Sequence, residues 1–524
     1  MHITFLGNTC NNSYNIAKAM IAAGHTCKLY YDPTFHPQTF PETEDPELAE
    51  RWPSWIHKLT PQDKTAHPYA GPSSRFLRQL SKTDIIHCEG GYLLWAHKTG
   101  RPYFWFPFGQ DCNYFLKWSF WTDMPNPSHM ANSLRFMSAA LGAGGINYAQ
   151  GLSNRAYFKN FMQNYYSGYI GRVYFPINVE KFSPKQSPSI DELLRAKGID
   201  KRARGLLVFN PTRIMFTPQS DYDYGSNLLL EALAELKKKH IDFTLFLCER
   251  GIADEELFKK IASNLGIAEN LIWLPFIPRA ELPQWYNACH IATNDFRPGG
   301  LGSICLESMS CGTPLLSCML PQTDPTYVKG NYTSEPPIYN SNPLSSAVEA
   351  FMEAALEPSM AAERGRQCRQ WILDNLSYEA VAPKFMEAYE SSIAAFSRQR
   401  SAFSFPPMPA GELELFLQKL RHDSMDIQHI GWKLDEYPTD PHLLGLLVTA
   451  LQHAGNPLAA VVLTYNLREL GMDIDTSLYR IPLRDSLQGL FWAAKDMIKR
   501  SGTLAPFVSR AKNLRDRLRG TSLQ

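Results

Sequence analysis

Short β-rich runs and amphipathic helical patterns alternate along this chain, and the alternation occurs twice. The first set opens with "HITFLG", the helical "SYNIAKAMIAAG" and "TCKLYY". After a Pro-rich polar stretch near residues 33 to 72 it continues with "DIIHCE", "PYFWFPF", "GINYAQ" and "GRVYFP". The second set runs from "GLLVFN" through the helical "SNLLLEALAELKKKH" to "FTLFLC", "LIWLPF", "HIATNDF" and "TPLLSC". Alternation of this kind builds parallel sheets. The expected fold class is therefore α/β, with two Rossmann-like doubly wound domains facing each other over a cleft. Ligands of such sheets sit outside the carboxyl ends of the strands, so the residues just after each strand are the ones to inspect.

The end of the chain has a different pattern. "SRQRSAFSFPPMPAG" reads as a linker by its Pro, Ser and Arg content, and the residues beyond it show helical periodicity with little strand pattern. "LLGLLVTALQHAGNPLAAVVLTYNLRELG" has the small-residue spacing of a tetratricopeptide-like hairpin, with a small helical bundle as the alternative. A chain ending near residue 405 is expected to stay folded, leaving the helical tail as a candidate protein-binding element.

The chain has 524 residues, enough for about three domains. Apolar residues make up 44% and charged residues 20%, as in soluble globular proteins. The net charge of +1 gives no electrostatic argument for nucleic acid, which is not an expected partner. Ten cysteines lie scattered with no CxxC pair, which favours reduced thiols over disulfides or zinc. The start "MHITFLGNTCNN" lacks the basic beginning and sustained apolar run of a signal peptide. No segment reaches the roughly 18 apolar residues of a membrane span. These readings favour a cytoplasmic location, with any membrane contact peripheral and at the inner face.

The segment "RPGGLGSICLESMSCGTPLL", residues 297 to 316, carries the chemistry. If "HIATNDF" is a strand, then Gly299, Gly300, Leu301 and Gly302 form the loop at its carboxyl end, and a helix starts at Ser303. Exposed amides at a helix start bind phosphate, and glycines let a ligand approach the backbone. Glu307 falls in the second turn, where a carboxylate can accept hydrogen bonds from ribose hydroxyls. The pair reads as a nucleotide-diphosphate site; a tight turn with a capping acid is the alternative on this stretch alone.

Other strand ends supply weaker candidates. Gly7 and Asn8 end the first strand, where backbone amides can face the donor or acceptor, and Asn11 and Ser13 can cap the following helix. His87 ends "DIIH". Arg213 follows "LLVFN", and a guanidinium matches phosphate geometry bidentately. The aromatic run "PYFWFPFGQDCNYFLKWSFW" is dense enough to hold a sugar face or an apolar acceptor, although part of it must be core strand. No Ser/His/Asp triad, P-loop or metal-spaced cluster stands out, so no metal is expected.

"YFPINVEKFSP", "LVFNPTRIMF", "LLLEALAELKKKHIDFTLFLC", "LIWLPFIPRAELPQWYNACHI" and "GLGSICLESMSCGTPLLS", in this order, resemble the donor-binding half of the GT4-like retaining glycosyltransferases of the GT-B fold. The likeness runs from about residue 170 to 395, and "SYEAVAPKFMEAYESSI" resembles their helix that crosses back to the N-terminal domain. The domains implied are 1–175 on the acceptor side with the crossover helix at about 376–396, 176–375 for the donor, a linker at 396–411 and a helical extension at 412–524. The resemblance implies that Arg213 contacts the donor diphosphate, that Glu307 is the second acid of the E-x7-E motif and contacts the ribose, and that Phe276 and Ile277 pack the nucleobase. Asp111 resembles the acid of an "HGxD"-like turn, with Phe108 in place of its histidine, and His87 stands where the family often has a histidine; either could assist catalysis with Arg213. Two positions depart from the pattern: the first acid of E-x7-E falls on Gly299, and the lysine that partners the arginine falls on Tyr224.

The implied activity is transfer of a sugar from a nucleotide-diphosphate donor to a hydroxyl of a glycan, lipid-linked or protein acceptor, with retention and without metal or other cofactor. Two alternatives stay open at this point: a catalytically silent scaffold that binds a protein partner, and a nucleotide-sugar epimerase on the same fold.

Overall fold

A computed structural model describes residues 1–35, 39–64, 71–108, 111–122, 132–148, 156–217, 223–249, 254–297, 299–319, 334–396, 405, 407–422, 427–454, 457–469 and 472. The strands of the first half are β1 (His2–Leu6), β2 (Thr26–Tyr31), β3 (Ile56–Lys58), β4 (Ile85–Cys88), β5 (Tyr103–Trp105), β6 (Gly145–Asn147) and β7 (Tyr169–Gly171). They form one parallel sheet in the order β3-β2-β1-β4-β5-β6-β7. Those of the second half are β8 (Leu206–Asn210), β9 (Phe243–Cys248), β10 (Leu271–Leu274), β11 (Ile291–Thr293), β12 (Leu315–Ser317) and β13 (Tyr339–Asn340), in the parallel order β10-β9-β8-β11-β12-β13.

Both sheets are of the doubly wound type expected. Strand order reverses between β1 and β4 in one sheet and between β8 and β11 in the other, and crevices of doubly wound sheets open at such switch points. Two elements escape the sequence pattern. β3 lies inside the Pro-rich polar stretch, and β13 is a two-residue edge strand. Each is too short to show a period of its own.

A helix at Tyr378–Phe396 lies across the first sheet. Gly144 and Gly145 let it approach: a Cβ on Gly144 would stand 2.1 Å from the Ser392 carbonyl oxygen, and one on Gly145 would stand 2.0 Å from Ser392 Oγ. The helix places Tyr389 against β4, where its hydroxyl lies 2.9 Å from His87 Nδ1.

The tail departs from the separable unit expected of it. Helices Ala410–His422, Ile427–Glu436, Pro441–His453 and Pro457–Glu469 form a continuous core with the N-terminal domain. Ile430 and Leu434 are fully buried in the same cluster as Trp105, Trp118 and Trp121. Trp118 Nε1 donates to the Pro438 carbonyl at 3.1 Å, and Ser119 N donates to Asp435 at 3.1 Å. Phe405 and Met408, inside the proposed linker, are buried too, with the Phe405 ring 4.3 Å from that of Tyr165. The Pro-rich composition hid these anchors. Much of the aromatic run read as an acceptor surface, including Trp105, Leu116, Trp118 and Trp121, is this core, and Phe104 is buried on the other side of the sheet.

Candidate functional site

In the second sheet, the ends of the two switch-point strands are tied together. Thr212 N donates to Asn210 Oδ1 at 2.8 Å, and its hydroxyl lies 2.9 Å from Asn294 Oδ1. Arg213 follows and is exposed. Its guanidinium donates to the Tyr224 hydroxyl at 2.8 Å and sits 5.8 Å from that ring's centroid. Tyr224, at the position where the family pattern has lysine, is thus a support for the arginine and brings no second charge.

The glycine loop ends in helix Ser303–Ser310, with Gly302 at its N-cap. Gly302 has an ordinary φ of −72°, and a Cβ on it would meet nothing within 4 Å. Neither strain nor crowding demands glycine there, and no side chain caps the helix. The helix start is exposed at Gly302 and carries no capping side chain, an arrangement that suits an anion. Leu301 is fully buried, its carbonyl accepting from the Tyr174 hydroxyl, so the loop is anchored at its centre. Gly299 N donates to Cys318 O at 3.2 Å, which anchors its start.

Glu307 is not a cap. It is 2% exposed, and accepts from Arg279 Nε at 2.8 Å and from the Tyr286 hydroxyl at 3.2 Å. Burial raises its pKa, while Arg279 pulls it down. Arg279 also donates to Glu44 at 2.8 Å and to the Cys10 carbonyl at 2.8 Å, both in the N-terminal half. Despite burial, which lowers its pKa, the two carboxylates hold Arg279 firmly charged. The expected ribose acceptor is therefore occupied by an ion network that joins the domains, and a ribose can reach it only if Arg279 gives way. Lys181 adds a second tie, 2.9 Å from Asp45, whose other oxygen is 2.7 Å from Lys18. Burial favours the neutral Asp45 acid, but the lysines and the Tyr14 hydroxyl hold its pKa at about 2.

Across the cleft, the loop after β1 is a finished structure. Gly7 has φ +93°, with Tyr92 and Glu89 packed where a Cβ would be. Asn8 donates to Asn11 Oδ1 and to the Thr39 carbonyl, each at 2.7 Å, and accepts from Tyr14 N at 2.9 Å. Asn8 thus caps the first helix (Asn12–Ala22), the task expected of Asn11 and Ser13. Ser13 instead donates to Glu89, which also accepts from Thr9 N at 2.5 Å. Burial pushes the Glu89 carboxyl up to about 7. Of the two residues expected to serve a donor here, Asn8 has its side chain committed internally and Gly7 is required by the turn.

The remaining candidates separate. His87 is fully buried among Phe5, Phe104, Phe106, Phe385 and Tyr389, and burial lowers its pKa to about 3. It is a neutral core side chain out of reach of the cleft, which corrects the catalytic expectation. Asp111, also expected to assist catalysis, is only 4% exposed. Ile277 turns into the core, whereas Phe276 is 52% exposed beyond β10. Arg279, Glu44 and Glu89 were missed because their roles depend on partners far away in the chain. Among the described residues, no group of three His, Cys, Asp or Glu side chains could hold a metal ion, and no helix is long and apolar enough to cross a membrane.

Comparison with known proteins addresses the same region. Residues 200–367 match the family model described as glycosyl transferases group 1. The chain is 26% identical over 170 residues to the GDP-mannose-dependent alpha-(1-6)-phosphatidylinositol monomannoside mannosyltransferase of Mycolicibacterium smegmatis, covering 31% of this chain and 44% of that protein. It is 29% identical over 140 residues to D-inositol 3-phosphate glycosyltransferase 1 of Catenulispora acidiphila, covering 25% and 34%. The chain thus spans less than half the length of these two relatives. Among solved structures, HepE of Anabaena in complex with UDP and glucose superposes with a TM-score of 0.50 at 15% identity, covering 75% of this chain and all of that one. Residues 200–367, which hold the second sheet, are thus similar to the group 1 glycosyl transferases, and the two sheets together follow the GT-B plan.

Proposed function

We propose that this chain transfers a sugar from a nucleoside-diphosphate sugar to an acceptor hydroxyl. The observation that carries the reading is the exposed, uncapped helix start at Gly302, together with exposed Arg213 at the same switch point. A diphosphate leaving group gains charge as its bond to the anomeric carbon breaks, and fixed donors aimed at that charge lower the barrier. Arg213 and the first-turn amides from Ser303 onward are those donors in this reading, the Gly302 amide being committed to the Gly300 carbonyl at 3.0 Å. The acceptor oxygen bonds to the anomeric carbon as the carbon–oxygen bond to the diphosphate breaks. The acceptor's proton passes to the departing phosphate oxygen, so no buried histidine is needed. Phe276 offers its exposed ring to the nucleobase. The fold relative that holds UDP and glucose, and the relative named for GDP-mannose, support the donor class and leave the base open.

Retention at the anomeric carbon, independence from metal, and a glycan, lipid-linked or protein acceptor complete the proposal. The test is a panel of UDP- and GDP-sugars screened by thermal shift, since a ligand that binds the native state raises its melting temperature. Hits are then incubated with candidate acceptors, including inositol phosphates, with and without a chelator, and the product's anomeric configuration is read by NMR. Stabilisation by at least one nucleotide sugar is the expected result. A chain that binds none fits instead the silent scaffold, a reading favoured by the closure of Arg279 over Glu307.

A further inference from the structure

Nothing in the local pattern around Asp295 marks it, yet it is the one acid in the loop after β11. Its backbone is held: the carbonyl accepts from Cys318 N at 2.7 Å and from Ser341 Oγ at 3.1 Å, and the next amide, Phe296 N, donates to the Tyr224 carbonyl at 2.7 Å. Its side chain is half-buried, and among the described residues no hydrogen-bond donor reaches the carboxylate. Burial pushes its pKa up to about 7, with Arg213 as the opposing charge. A half-buried carboxylate without donors is costly in the free protein and favours a ligand that brings them.

Gly299 locates the space this carboxylate fills. A Cβ on Gly299 would stand 2.6 Å from Asp295 Oδ2, whereas its φ is outside the range that only glycine tolerates. A side chain at 299 would have to displace the Asp295 carboxylate. Asp295 thus sets its carboxylate in the space that a side chain at 299 would enter, from four residues earlier in the chain. In the proposed site the order along the ligand follows from the residues. Glu307 lies against Arg279, Arg213 and the first-turn amides from Ser303 serve the diphosphate, and Asp295 lies before the loop on the side of Arg213 and Tyr224.

Resting on the donor reading above, we propose that Asp295 is the residue that holds the transferred sugar, its carboxylate accepting hydrogen bonds from adjacent sugar hydroxyls in the space left by Gly299. Hydroxyls of a hexose supply the donors the carboxylate lacks, and Arg213 offsets its charge beside the diphosphate.

The test is calorimetric titration of the full chain with UDP, GDP, UDP-glucose and GDP-mannose. The wild type should bind a nucleotide sugar more tightly than the matching diphosphate. Asp295→Asn should weaken nucleotide-sugar binding by about tenfold while leaving diphosphate affinity within about twofold and the melting temperature no lower. Equal loss of both affinities, or loss of neither, overturns the assignment. A wild type that binds a diphosphate but gains nothing from the sugar overturns Asp295 alone, and one that binds neither overturns the donor reading with it. Gly299→Glu alone should abolish sugar preference, because its Cβ meets Asp295. Asp295→Gly combined with Gly299→Glu should restore that preference, and a folded double variant without it overturns the shared-carboxylate geometry.

Discussion

In the loop after β1, Asn8, Asn11 and Ser13 all bond to protein partners, and Gly7 is required by a positive φ and by the rings beside it. In the loop after β11, the glycine at the helix start faces open space, and the Asp295 carboxylate lacks a donor among the described residues. Both loops end switch-point strands and face one cleft, yet only the second is incomplete without a ligand. In the proposed site the satisfied loop is a wall, and the unsatisfied one is the binding surface. Arg279 spans the two and closes them on each other.

The largest effect should come from removing the support behind the wall. A chain ending near residue 405 loses the helices that bury Trp118, Trp121 and their neighbours. Each large apolar side chain uncovered costs about 1.5–3 kcal/mol, so the truncated chain should aggregate or lose cooperative melting. A soluble truncation with a sharp transition would show that the wall stands without the tail. Next comes Arg279→Ala, which leaves Glu44 and Glu307 buried without their cation. A loss of about 3–5 kcal/mol is expected in urea denaturation; a loss under about 1 kcal/mol would mean that the clamp is not formed in solution.

Glu89 gives a pH test of the wall. Its folded pKa of about 7 stands above the ordinary glutamate value near 4.3. The folded protein therefore holds a proton that the unfolded chain releases. The stability from this group is complete below about pH 4 and is lost as pH rises to about 7. Melting temperatures of the wild type should fall relative to Glu89→Gln across that window, and parallel curves would remove Glu89 from the balance.

The smallest change in stability carries the sharpest contrast. Gly7→Ala forces an ordinary residue into φ +93° against Tyr92 and should cost about 1–3 kcal/mol. Gly302→Ala should alter stability by less than about 0.5 kcal/mol, since its Cβ points into empty space. It should instead weaken nucleotide-sugar affinity, because the added methyl stands where the diphosphate approaches. Equal stability losses in the two variants would erase the distinction between the loops.

Much of this site was legible because its signals are local. Strand ends, the glycine run and Arg213 lie within short windows whose periodicity and residue types speak for themselves. His87 shows the limit of such reading. Its place at a strand end is correct, but the helix at Tyr378–Phe396 covers it with Tyr389, some 300 residues later in the chain. Glu307 was visible as an acid in the second turn of a helix, and nothing nearby announced that Arg279 would occupy it.

The sequence by itself determined the two parallel sheets, the bare loop before Ser303 and the cation after β8, since backbone propensity and strand–helix alternation act over a few residues. Only the tertiary structure decided which polar groups stay unsatisfied. Burial and pairing depend on what the fold brings from a distance: Glu44 onto Arg279, the tail onto Trp118, and Tyr224 onto the loop of Asp295.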